Sequence, residues 1–150
     1  RSVEYCRILL NSNKLVNDIR DKGVFNNKSL IIKFPNEYVL DRKLYRHFIR
    51  GYFDGDGSLV LSKNSINFKI CGTKEFLEKL IKIFNENSTY EFKNRLFKRW
   101  NNENNTYYLS YGGINKTLNI MNYLYDKAEI YLDRKYEKFI TLKAMKLTKL

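Results

Sequence analysis

Residues 45–61 read YRHFIRGYFDGDGSLVL, and the interpretation of the whole chain turns on them. Apolar residues at helical spacing run into Asp54-Gly55-Asp56-Gly57, and a strand-like alternation begins directly after. Two acids between glycines at a helix end stand out because the chain is strongly basic. It carries 28 Lys and Arg against 16 Asp and Glu over 150 residues, a net charge of +12. That excess points to a polyanionic partner, most often nucleic acid. The bases are spread along the chain rather than gathered in one block, which argues against an acidic membrane surface.

Composition narrows the class. With 43% hydrophobic and 29% charged residues, the chain has the mixture of a globular domain, long enough for one core and too short for two ordinary ones. No run approaches the roughly 18 apolar residues that span a bilayer. Cys6 and Cys71 lack metal-ligand spacing and read as small reduced core residues of an intracellular protein.

Outward from the central stretch, the periodicity predicts VEYCRILL as a strand and NKLVNDIRDKG as a helix stopped at Gly23. NEYVLDRKLYRHFIRGYF follows as a helix with Asp41 as N-cap. SLVLS and INFKICG form a hairpin turning at Lys63-Asn64-Ser65, and KEFLEKLIKIFNE forms a helix with apolar residues at 76, 77, 80, 81 and 84. YEFKNRLFKRW and NTYYLSYG form a second hairpin turning through NNENN. INKTLNIMNYLYD and a stretch around YLDRKYEKFITLKAMKL are helical. From Asp41 the order is α-β-β-α-β-β-α, an α+β class. Residues 1–40 do not begin a domain. YCRILLNSNKLVNDI from Tyr5 matches YYLSYGGINKTLNIM from Tyr107, with Asn13-Lys14 and Asn115-Lys116 at one offset. Residues 1–40 are therefore expected to be the tail of a preceding repeat and a linker, and 41–150 a second repeat.

Three readings of Asp-Gly-Asp-Gly compete. A calcium loop counted from Asp54 would need glycine at residue 59 and glutamate at residue 65, where Leu59 and Ser65 stand, so it fails. A plain turn leaves Gly51 unexplained, since glycine inside a helix costs about 1 kcal/mol relative to alanine. The third reading accounts for both: two such helices pack through Gly51 and Gly55 and bring two Asp56 carboxylates together. Their shared negative charge, added to that of the helix ends, would hold a divalent cation for phosphoryl transfer.

IRGYFDGDG, residues 49–57, resembles the signature of the LAGLIDADG homing endonucleases, most closely the version in inteins and in phage and intron enzymes. Gly51, Asp54, Asp56 and Gly57 match it, and Gly55 stands where the family often has Ala or Gly. YLDRKYEKF resembles the family's closing block. The resemblance covers roughly residues 41–145 and implies the LAGLIDADG fold, with a curved antiparallel sheet laid in the major groove. It implies a Mg²⁺-dependent endonuclease cutting both strands of double-stranded DNA across the minor groove. A second repeat, in the same polypeptide or through a homodimer, would be required. Asp56 would be the catalytic metal ligand, with Gly55 offering its carbonyl. Asp54 would brace the helix ends, with direct catalysis as its alternative role. Lys135, 79 residues after Asp56, is the candidate lysine near the attacking water; Arg134 is its rival, and an ordinary surface base is the plain reading. Gly72 stands where some members carry a water-organising glutamine.

Strand alternation assigns Leu59, Leu61, Phe68, Ile70, Phe92, Leu96, Leu109 and Tyr111 to the core. It leaves Ser62, Asn64, Asn67, Lys69, Lys93, Arg95, Arg99 and Tyr108 for DNA. Trp100 and the other aromatics read as core, and His47, the only histidine, as a helix-face residue. The rival function is a non-cutting maturase or DNA-binding regulator on the same fold. A second rival is an intein: residue 1 is not a nucleophile and the sequence does not end in His-Asn, so no self-splicing chemistry shows in these residues, and flanking sequence would decide it.

Overall fold

Thr73 opens the helix that anchors the core: its hydroxyl accepts from the Phe76 amide at 3.2 Å and donates to the Ile32 carbonyl at 2.6 Å. The helix it caps, Lys74–Glu86, buries Phe76, Leu77, Leu80, Ile81, Ile83 and Phe84, the apolar stripe its spacing predicts plus Ile83. The computed structural model describes residue 7 and residues 9–26, 28–62, 65–98 and 105–148. Among these, the elements in chain order are α1 (Asn13–Asp21), α2 (Tyr45–Asp56), β1 (Ser58–Leu61), β2 (Ile66–Gly72), α3 (Lys74–Glu86), β3 (Leu96–Lys98), β4 (Tyr107–Gly112), α4 (Ile114–Tyr125) and α5 (Asp133–Leu147).

The class is α+β. The strands form one antiparallel sheet in the order β1-β2-β4-β3, and α2 to α5 contact the sheet or one another. Register pairs Leu59 with Phe68, Phe68 with Tyr111 and Ile70 with Leu109. All five of these side chains are buried, as is Phe92, while Leu61 and Leu96 are half-buried against the core. Phe53 stacks on Phe68 at 4.7 Å between ring centres, which joins α2 to the sheet.

Several boundaries differ from the sequence reading. Asp41 caps a 3-10 turn, Arg42–Leu44, by accepting from the Lys43 amide, and α2 starts only at Tyr45. Among the described residues the third strand is Leu96–Lys98, and it starts late because Asn85 intercepts its lead-in. The Asn85 side chain accepts from the Phe92 amide at 2.7 Å and donates to the Phe92 carbonyl at 3.1 Å, and Tyr111 donates to the Lys93 carbonyl. Backbone groups bonded to side chains cannot pair with a neighbouring strand. At the N-terminus, Arg7, Leu9 and Leu10 are not in a strand, and the rest of that expected strand lies outside the described residues. So do Cys6, Lys63, Asn64, Arg99, Trp100 and most of the Asn-rich turn. Residues 32–40, read as linker, pack on the core: Phe34 meets Tyr45, Phe48 and Phe76.

Candidate metal centre and nucleic-acid face

The two acids at the end of α2 have different environments. One oxygen of Asp54 accepts the Tyr125 hydroxyl and the other accepts the Leu132 amide at 3.1 Å. Asp54 thereby ties α2 to the end of α4 and the start of α5. Burial, then the bond to Asp54, pushes the Tyr125 hydroxyl well above the ordinary tyrosine range. Asp56, two residues later at the last position of α2, is exposed. Its carboxylate makes no hydrogen bond or ion pair with any described residue. Its charge is felt by Tyr52, whose hydroxyl is pushed up to about 12, by burial first and this carboxylate second. The Tyr52 hydroxyl donates to the Cys71 carbonyl at 2.9 Å.

Gly57 follows because no larger residue fits: a Cβ there would overlap the Phe53 ring and carbonyl. At Gly51 and Gly55 a Cβ would meet nothing within 4 Å. Both glycines are exposed and line a groove of about 570 Å³ with Asp54, Ile130, Tyr131 and Leu132. Ile130 is 82% exposed beside it. The glycines therefore answer to nothing among the described residues, and a helix could approach them closely.

Lys135 is not the surface base of the plain reading. It is 2% exposed and donates to the Phe53 carbonyl at 2.6 Å and to the Gly57 carbonyl, with its ammonium 4.3 Å from the centre of the Phe53 ring. Burial, then the neighbouring Arg134, brings it down to about 8. Arg134 itself is exposed. One turn along α5, Lys138 donates to the Leu59 carbonyl at 2.9 Å. The two lysines thus close the junction between α2 and β1, where helix carbonyls carry negative partial charge. Arg46 and Arg50, also one turn apart, do the same for α4, donating to the carbonyls of Asp126 and Leu124. Their i, i+4 spacing marks one face of α2, but no local pattern signals the α4 carbonyls that they meet. His47 lies 3.0 Å from an Arg50 nitrogen, and burial, then Arg50 and Arg46, lowers its basicity.

On the open face of the sheet, the Ser110 hydroxyl donates to the Asn67 amide oxygen at 2.8 Å. Lys69 lies with its ammonium 3.8 Å from the centre of the Tyr108 ring. Of the residues assigned to DNA, Asn67, Lys69 and Tyr108 share this face. Ser62 instead closes the hairpin, bonding the Ser65 amide and carbonyl. Lys93 and Arg95 are exposed but precede β3, for the reason given above. Asn64 and Arg99 lie outside the described residues. Alternation also places Phe97 on the open face, 45% exposed; with Phe25, Tyr38 and Tyr90, also exposed, it departs from the reading of the aromatics as core. Gly72 is buried, and a Cβ there would come within 2.8 Å of the Phe76 ring, so a glutamine would not fit without movement of that ring.

No family model matches the chain, and searches of curated proteins and of solved structures return no match. Among the described residues no helix is long and apolar enough to cross a membrane.

Proposed function

We propose that this chain is one repeat of a LAGLIDADG-type homing endonuclease that hydrolyses phosphodiesters of double-stranded DNA with Mg²⁺, acting when its α2 seats against the α2 of a second repeat. The observation that carries the reading is the contrast between the two acids. Asp54 is tied twice into the fold, while Asp56 is exposed and unpartnered beside glycines that face open space. The element order and the four-stranded antiparallel sheet support the same reading.

The Asp56 carboxylate and the Gly55 carbonyl are hard oxygen donors of the kind Mg²⁺ takes. Among the described residues no three His, Cys, Asp or Glu side chains cluster, so a second Asp56 would complete the set. Bound there, the ion would supply charge neutralisation at the phosphate. The chain's own part is to hold Asp56 at the helix end, through Asp54 on one side and Lys135 and Lys138 on the other. Asn67, Lys69 and Tyr108 would face the bases, and Lys93 and Arg95 the phosphates.

Two copies joined by a flexible linker, incubated with a randomised duplex pool and Mg²⁺, should yield discrete cleaved ends. Asp56→Asn should abolish cutting while binding persists. Selective binding without ends would instead identify a non-cutting regulator or maturase. That reading is favoured by the two hydrogen bonds that tie the Lys135 ammonium to main-chain carbonyls. Binding no stronger than that of any comparably basic chain would sink both.

A further inference from the structure

We propose that Phe97, propped by Tyr108, is a specificity residue that reads the methyl group of a thymine; this deepens the DNA reading above and rests on it. The open face of the sheet is polar at its centre, with Asn67, Lys69 and Ser110 side by side in register, and carries one exposed aliphatic side chain among the described residues, Val60 beside Asn67. Against that background an apolar ring 45% exposed needs a reason. Phe97 pairs with Tyr108 across β3 and β4, and the rings stack at 5.1 Å and 19°. Lys69 reaches the same Tyr108 ring. The phenol is thus engaged by both neighbours, whereas Phe97 sits on the edge strand with no strand beyond it among the described residues.

A cross-strand aromatic pair stabilises a hairpin wherever it lies, so stacking alone would be a structural matter. The added observation is its setting on a cationic, amide-bearing face. In the major groove one base edge offers an apolar group, the thymine C5-methyl, and phenylalanine is among the side chains that contact it. A ring held by stacking has little side-chain freedom left to lose on contact. The adjacent Lys69 ammonium and Asn67 amide offer donors for the flanking acceptors.

The test changes the DNA rather than the protein, so a folding role for Phe97 cannot imitate the result. A duplex consensus is selected by binding of the 150-residue chain from a randomised pool, and each thymine is then replaced singly by deoxyuridine. At one position the loss of the methyl should weaken binding by the wild-type chain about fourfold, the effect of withdrawing one methyl-sized group from apolar contact. Phe97→Ser should be indifferent to that replacement, and Phe97→Leu should keep most of the discrimination. A consensus bound equally well with deoxyuridine throughout overturns the inference and leaves the DNA reading standing. A preference for single strands that depends on Phe97 would also overturn it, making the pair a stacking platform. A pool that yields no preferred sequence removes both.

Discussion

At position 135 a buried ammonium supplies the hydrogen bonds that the end of α2 would otherwise lack, and its protonation is linked to folding. Held down to about 8 in the fold and near 10.4 in an unfolded chain, the group binds fewer protons when folded across that interval. Stability therefore rises with pH through the window. Below about 8 the full cost of keeping the buried group charged is present, on the order of 3 kcal/mol. Tyr52, Tyr111 and Tyr125, all raised by burial first, act oppositely above about 10, where the unfolded phenols lose their protons first. Urea denaturation of the metal-free chain should show stability climbing between pH 8 and 10 and falling beyond. Lys135→Met should remove the climb; a climb that survives the substitution would dismiss this assignment. A second residue-scale test is Gly57→Ala, whose Cβ would overlap the Phe53 ring. It should lower stability by about 1–3 kcal/mol in the same measurement, the range for overpacking a filled site.

The same substitution inside α2 has the opposite sign. Gly51→Ala adds a Cβ in open space and replaces glycine inside a helix, so the isolated chain should gain up to about 1 kcal/mol. If the groove receives a second α2, that methyl stands between the helices, and sedimentation should show weaker self-association as thermal stability rises. Loss of stability with association unchanged would mean the glycine serves the single chain. Such opposed effects explain what was legible in the sequence. The small-residue spacing at 51 and 55, the apolar stripe of α3 and the alternation of β1, β2 and β4 are local periodicities, and they gave these elements. The short β3 was not legible, because Asn85 replaces strand pairing from seven residues away. Nor was the burial of Lys135, whose partners lie 82 and 78 positions distant. Asp54 and Asp56 are chemically identical in sequence, and their environments diverge only through Tyr125 and Leu132.

Across the whole molecule, the net charge of +12 is not a uniform measure of polyanion affinity, because some cations serve the fold. Arg46, Arg50, Lys135 and Lys138 donate to main-chain carbonyls at helix ends or at the junction of α2 and β1. By contrast Lys69, Lys93 and Arg95 are exposed, without such partners, on or beside the open sheet. Each cation that neutralises a DNA phosphate releases counterions and adds about 0.9 to the slope of log affinity against log salt. Titrating a labelled duplex between roughly 50 and 200 mM salt gives that slope for the wild-type chain. Replacing Lys69, Lys93 and Arg95 by glutamine should lower it by about 2, the share of Lys93 and Arg95 at the phosphates, with little change in melting temperature. Lys138→Gln should do the reverse, lowering the melting temperature while the slope stays within error. If both sets of variants moved the slope equally, charge would act through its total and the open sheet face would not be the binding surface. If the triple variant alone moved it, the nucleic acid would lie against β2, β4 and the approach to β3, on the opposite side of the sheet from the core.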